Sequence, residues 1–202
     1  LGRISEVGQK PQATDMTQAI SRNAAQLSNW ISTGGSREQI TRTVYDNSYF
    51  DGDGLLSPEK LVQRHLRNRV SYTQVYDMEP AGGNYVGTHR AATYYSYDIH
   101  GNVDTLLQDY GSSSYYPNAM NQAGNRYKKI AYSYDLISGK VNMVAYQPGY
   151  VNPVTNQWVN NPDRFYHKYS YDAENKLTEV YTSHDSLVWE RDAAYQYYKH
   201  GP

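Results

Sequence analysis

The chain has 202 residues, of which 39% are hydrophobic, and its aromatic content is lopsided, with 23 Tyr against 2 Phe and 3 Trp. Its 19 basic and 20 acidic residues leave a net charge of -1 and no long single-sign run, which argues against a nucleic-acid or anionic-membrane partner. The absence of Cys removes disulfide frameworks, thiolate catalysis and Cys-based zinc sites together, and no apolar run approaches the roughly 20 residues that span a bilayer.

In chain order, Gly2-Arg3-Ile4-Ser5-Glu6-Val7 has the alternation of a short strand. Met16, Ile20, Ala24, Leu27 and Ile31 then fall at helical spacing, which predicts an amphipathic helix within residues 14–33, begun at Thr14 or Asp15 and stopped at Gly34-Gly35. Such a helix either covers a sheet edge or face, the simpler role, or docks a partner or plugs a cavity. Asp51-Gly52-Asp53-Gly54 resembles the middle of a calcium loop. With Asp53 and Gly54 at loop positions 5 and 6, however, Tyr49 and Lys60 fall where ligands are required. A solvated turn followed by a short helix from Ser57-Pro58-Glu59 is therefore expected. Arg64, His65, Arg67 and Arg69 form the densest basic group. On a strand, residues 65, 67 and 69 share a face that either holds a phosphate or acidic surface or simply pairs with Asp and Glu across the sheet.

From residue 95 onward the chain repeats itself. Tyr95-Ser96-Tyr97-Asp98, Tyr132-Ser133-Tyr134-Asp135 and Tyr169-Ser170-Tyr171-Asp172 align, with the second Tyr recurring at intervals of 37 residues. Each Asp is followed by a short turn ending in Gly101, Gly139 or Asn175, and each turn by an apolar return strand starting at Val103, Val141 or Leu177. The unit reads as a β-hairpin in which Asp98, Asp135 and Asp172 bond amides ahead of them, and Gly or Asn accepts positive φ. Tyr residues at i and i+2 share one face, where stacking on the equivalent rings of the next hairpin is expected. Asn68-Arg69-Val70-Ser71-Tyr72 and Gly2-Arg3-Ile4 look like return halves. Tyr195-Gln196-Tyr197-Tyr198-Lys199-His200-Gly201 looks like a forward half, so the chain is expected to begin and end inside a repeat.

On these residues the sequence resembles the YD-repeat family, which includes bacterial RHS proteins, toxin-complex C components and teneurins. The signature Tyr-x-Tyr-Asp-x-x-Gly-(Asn, Arg or Lys)-(Val or Leu) is seen best at Tyr95 to Val103, and Tyr169 to Gly201 is similar to long RHS proteins of Bacteroidota. The resemblance implies consecutive antiparallel hairpins forming part of a spiralling, shell-like sheet. It also implies a secreted or cell-surface protein in which that shell encloses a C-terminal toxin or effector domain. Partners implied are the remainder of the parent chain and, in a type IX-like route, secretion machinery. The family's self-cleaving core segment is not recognisable, so no residue is carried over from it.

The expected architecture is all-β. Residues 1–13 end one repeat, residues 14–63 form a helical and loop insertion, and residues 64–202 form the hairpin strip. Six histidines (65, 89, 100, 167, 184 and 200) show neither H-x-H nor i, i+4 spacing, and no P-loop, G-x-S-x-G or H-E-x-x-H occurs. No catalytic residue, cofactor or metal is therefore expected, and the chain is read as a non-enzyme. The rival class is an adhesin or carbohydrate-binding surface, because Tyr and Trp rings such as Trp158 and Trp189 stack on sugars.

Overall fold

Strand-forming Tyr, Thr and Val dominate the segments on either side of each turn, and Tyr brings both an apolar ring and a hydroxyl to a sheet whose faces are partly wet. The computed structural model describes residues 2–51, 54–55, 60–151, 155 and 157–198. Its strands are β1 (Glu6–Gln9), β2 (Glu38–Tyr45), β3 (Phe50–Asp51), β4 (Gly54–Leu55), β5 (Val70–Met78), β6 (Ala91–Tyr97) and β7 (Val103–Asp109). They continue with β8 (Tyr127–Tyr134), β9 (Val141–Tyr146), β10 (Tyr150–Val151), β11 (Trp158–Val159), β12 (Phe165–Tyr171), β13 (Leu177–Ser183) and β14 (Glu190–Ala194). Ten of them build one antiparallel sheet in the order β1-β2-β5-β6-β7-β8-β9-β12-β13-β14, while β3–β4 and β10–β11 are two-residue ribbons within connections. The chain is all-β with a short helical insertion, laid down hairpin by hairpin.

Two elements differ from the sequence reading. The helix expected over residues 14–33 is two helices, α1 (Gln18–Arg22) and α2 (Ala24–Ser32). Thr17, not Thr14 or Asp15, caps the first. Asn23 leaves helical geometry, and its Oδ1 accepts from the amides of Ala25 and Gln26, starting the second. Neither helix buries a residue. They are tied to the preceding segment by Lys10 Nζ on the Ile31 carbonyl and Trp30 Nε1 on the Thr14 carbonyl. The second difference is β2, a full sheet strand lying inside the stretch read as insertion. Its alternation buries Ile40 completely, opposite Tyr76 of β5.

Four hairpins share one irregularity. In β2–β5, β6–β7, β8–β9 and β12–β13 the register slips by one residue immediately before the tyrosine that precedes the turn. Ser71, Asp104, Asn142 and Thr178 are the extra residues of these bulges.

The main apolar cluster joins Ala92 and Tyr94 of β6 and Leu107 of β7 to Tyr49 and Leu61, which arrive from the long β2–β5 connection. Tyr49 meets Tyr72 edge-on at 5.0 Å and lies 4.8 Å from Tyr94. This connection is therefore a second layer over the first hairpins. Leu61→Ala is expected to destabilise by about 2–4 kcal/mol through lost contact and a cavity, whereas Val62→Ala at the neighbouring, 48% exposed position should stay within about 0.5 kcal/mol, both read by urea unfolding.

Candidate functional site

The recurring local structure begins at the turns. Asp98 Oδ1 accepts from the amides of His100, Gly101 and Asn102 at 2.9, 2.7 and 2.9 Å, and Oδ2 accepts from Asn102 Nδ2 at 2.9 Å. Asp135 Oδ1 accepts from the amides of Ile137 and Ser138 and from the Ser138 hydroxyl, and Asp172 Oδ1 from the amides of Glu174 and Lys176. Burial works against ionisation of Asp98, but the Asn102 side chain and the three amides outweigh it and hold its carboxyl below the usual range. Gly101, Gly139 and Asn175 take the left-handed conformation that closes each turn, with φ of 101°, 70° and 63°.

The same geometry reveals a unit not apparent in the sequence. Tyr45-Asp46 opens a turn whose closing residues are Asn68, with φ of 62°, and Arg69. The Asp46 amide donates to the Arg69 carbonyl at 3.1 Å, as those of Asp98, Asp135 and Asp172 donate to Asn102, Lys140 and Lys176. The connection that covers the core is thus inserted inside one repeat's turn.

Consecutive units are joined by a clamp. Five tyrosines donate their hydroxyls to a carbonyl at the start of the preceding return strand or, for Tyr45, two residues ahead of it. These bonds are Tyr45 to Ile4 at 3.0 Å, Tyr97 to Val70 at 2.8 Å, Tyr134 to Val103 at 2.9 Å, Tyr171 to Val141 at 2.8 Å and Tyr197 to Leu177 at 2.8 Å. The residue before each acceptor supplies a cation over the same ring at four of the five joints. Arg3 sits over Tyr45 at 4.4 Å, Arg69 over Tyr97 at 5.4 Å, Lys140 over Tyr171 at 5.9 Å and Lys176 over Tyr197 at 5.2 Å. Asn102 takes that place beside Tyr134. Tyr95 stacks on Tyr97 and Tyr132 on Tyr134 along their own strands, with centroids 6.5 and 6.3 Å apart, and His167 stacks on Tyr169. These repeat tyrosines thus reach the neighbouring hairpin through hydroxyls and cations, where stacking on its equivalent rings was expected; Tyr72 and Tyr94, paired across β5 and β6, do meet ring to ring at 5.7 Å.

One buried ionic network joins two connections to β7. His89 Nε2 lies 2.8 Å from Asp109 Oδ2, and against a carboxylate that nitrogen is the donor. Arg126 donates through Nε to Oδ1 at 2.7 Å and through Nη2 to Oδ2 at 2.9 Å, and the Gly111 amide donates to Oδ1 at 2.9 Å. Burial would raise the Asp109 carboxyl, but the hydrogen bonds from His89 and Arg126 hold it below the usual carboxylate range. A His–Asp pair invites an acid–base reading. Here both side chains are 1% exposed and the carboxylate is saturated by four donors, so the pair serves as a tie between connections. Residues from separate loops make it, and no local motif marks it.

The basic group at 64–69 is not a strand. His65 and Asn68 take positive φ, and Arg69 turns back to donate to the His65 carbonyl and to cover Tyr97. Among the described residues no cluster of His, Asp and Glu could hold a metal ion. Asp53, the stretch Ser57–Glu59, His200 and Gly201 lie outside the described residues, as does the Trp158 side chain. Trp189 is half-buried, donates to the Ser186 carbonyl at 3.1 Å and has Lys168 beside its ring at 5.8 Å. No family model matches the chain, and no curated protein matches it significantly.

Tyr134→Phe removes one clamp and should cost about 1 kcal/mol, while Tyr132→Phe, one residue pair away on the same strand, should change stability by less than about 0.5 kcal/mol in urea unfolding. Asp109→Asn leaves Arg126 facing a neutral group and should cost roughly 3 kcal/mol at pH 7. Because the folded-state pKa of Asp109 is depressed, its contribution is present above the unfolded value near 4 and is lost as pH falls through the folded one. The gap between wild type and Asp109→Asn should therefore narrow as the pH falls below the unfolded value near 4 in parallel unfolding series.

Proposed function

We propose that the chain is a wall segment: a YD-repeat strip of a secreted or cell-surface protein that shields a domain carried elsewhere in that protein, a toxin or effector in the bacterial members it resembles. The observation that carries this reading is the clamp at five successive joints. Every hairpin offers a carbonyl to the next and a tyrosine hydroxyl to the last, so the same contact extends a strip to any length without a new interface. Such a nearest-neighbour construction suits a surface built by repetition.

The composition supports the same role. A sheet that is largely one layer deep needs side chains that tolerate water on one side and contact on the other, and half-buried tyrosines meet that need. Its chemistry is exclusion, achieved by keeping consecutive hairpins in fixed register so that no gap opens between them.

Limited proteolysis of the full-length protein tests the proposal. The strip and a shielded segment should resist trypsin together, and the double change Tyr134→Ala with Tyr171→Ala should expose both in the same step. Independent digestion of strip and remainder would overturn the wall reading, and so would saturable binding on a glycan array, which points to an adhesin.

A further inference from the structure

Tyr76 of β5 has one hydroxyl hydrogen and two oxygens in reach of it. Its side chain is wholly buried, and the hydroxyl lies 2.8 Å from Gln74 Oε1 and 2.9 Å from the Tyr85 carbonyl in the β5–β6 connection. A hydroxyl donates once, so it serves either the amide or the carbonyl. Gln74, itself 2% exposed, links this choice to the ionic tie, because its Nε2 lies 3.4 Å from His89 Nδ1. With His89 Nε2 donating to Asp109, Nδ1 of the neutral ring is an acceptor, and Gln74 meets it with its amide nitrogen.

A half-turn of that amide interchanges its oxygen and nitrogen almost in place. Gln74 Oε1 then faces His89 Nδ1 and Nε2 faces the Tyr76 hydroxyl oxygen, which releases the hydroxyl hydrogen to the Tyr85 carbonyl. Every contact in this second arrangement joins a donor to an acceptor once Nδ1 carries a proton. The two arrangements differ by one proton and one rotation. The groups that face the added charge come from four elements. Asp109 of β7 touches the ring and favours the imidazolium, while Arg126, just before β8, opposes it from the other side of that carboxylate. Tyr76 stands edge-on to the ring at 6.4 Å, and Tyr94 of β6 lies within the field of Asp109 and Arg126. Arg90, next in sequence, pairs with Asp77 at the surface.

We propose that His89 is a proton-operated latch: it takes up a proton at Nδ1 while the chain stays folded, Gln74 turns its amide to accept it, and Tyr76 then fastens the Tyr85 carbonyl. Acidification thereby tightens the β5–β6 connection on β5 at a residue that Arg37 already holds by its hydroxyl and Arg42 by its ring. The inference holds whether or not the strip encloses a domain.

Nitrogen-15 NMR of the imidazole rings of the whole chain tests it from about pH 8 to pH 5, the range in which histidine side chains change charge, with His89 assigned by through-bond correlation to its backbone amide. In the wild type Nδ1 should gain a proton, the Gln74 side-chain amide signals should move with the same midpoint, and the amide protection factors of the β5–β6 connection should rise on the acid side. Gln74→Glu, a stronger acceptor, should raise the midpoint by about one pH unit or more, and Gln74→Met, a weak one, should lower it. Tyr76→Phe should leave the ring titration in place and abolish the gain in protection. A ring that keeps Nδ1 bare down to acid unfolding would overturn the proposal, as would protonation with the Gln74 signals unmoved, equal midpoints in the two Gln74 variants, or a gain in protection that survives Tyr76→Phe. The wild-type titration decides by itself if a buried variant fails to fold.

Discussion

The joints between hairpins in this protein depend on a hydrogen bond between a tyrosine hydroxyl and a backbone carbonyl one hairpin away. The ladder between hairpins stops short of the turn, because a one-residue bulge shifts the return strand there. The hydroxyl reaches across that unladdered end and the neighbouring Arg or Lys closes over the ring, so two side-chain contacts hold the stretch where backbone bonds give out. Tyr suits this place because Phe lacks the hydroxyl and Ser lacks the reach. Five of the 23 Tyr are accounted for by how units are joined.

The hairpins at residues 95–103, 132–141 and 169–177 are legible in the sequence because everything that defines them is local. An Asp and a Gly or Asn within a few residues of each other carry the turn, and the alternation on either side carries the strands. Tyr45-Asp46 escapes the same reasoning because its closing residues, Asn68 and Arg69, are separated from it by the strap that covers the core. The Arg, Lys or Asn before each return strand is part of the visible signature, but its role over the next unit's ring is not, since the ring arrives from the hairpin that follows.

Where local patterns misled, a specific competing interaction explains the outcome. Helical spacing over residues 14–33 is real, yet Asn23 bonds forward to two amides and divides the helix. The alternating charges at 65, 67 and 69 look like a strand face, yet positive φ at His65 and Asn68 bends that segment into a turn. The His89–Asp109–Arg126 tie has no sequence signal because its members sit on three separate elements and meet only after β5 through β8 have paired. The cues that mark the hairpins are short-range, whereas the ionic tie and the cations over the tyrosine rings depend on contact between hairpins.

The joint between β7 and β8 stands apart, for Asn102 occupies the place that holds Arg or Lys at the other joints. Its tyrosine is pinned by the hydroxyl alone. In a linear series of links, applied tension is borne equally and failure starts at the link with the least to lose. The joint between β7 and β8 is not that link, because its ladder pairs five residues against four at the joints on either side, and Arg126, just before β8, grips Asp109 at the end of β7. A longer ladder and an ionic tie thus stand in for the missing cation at the one joint of the five that lacks it.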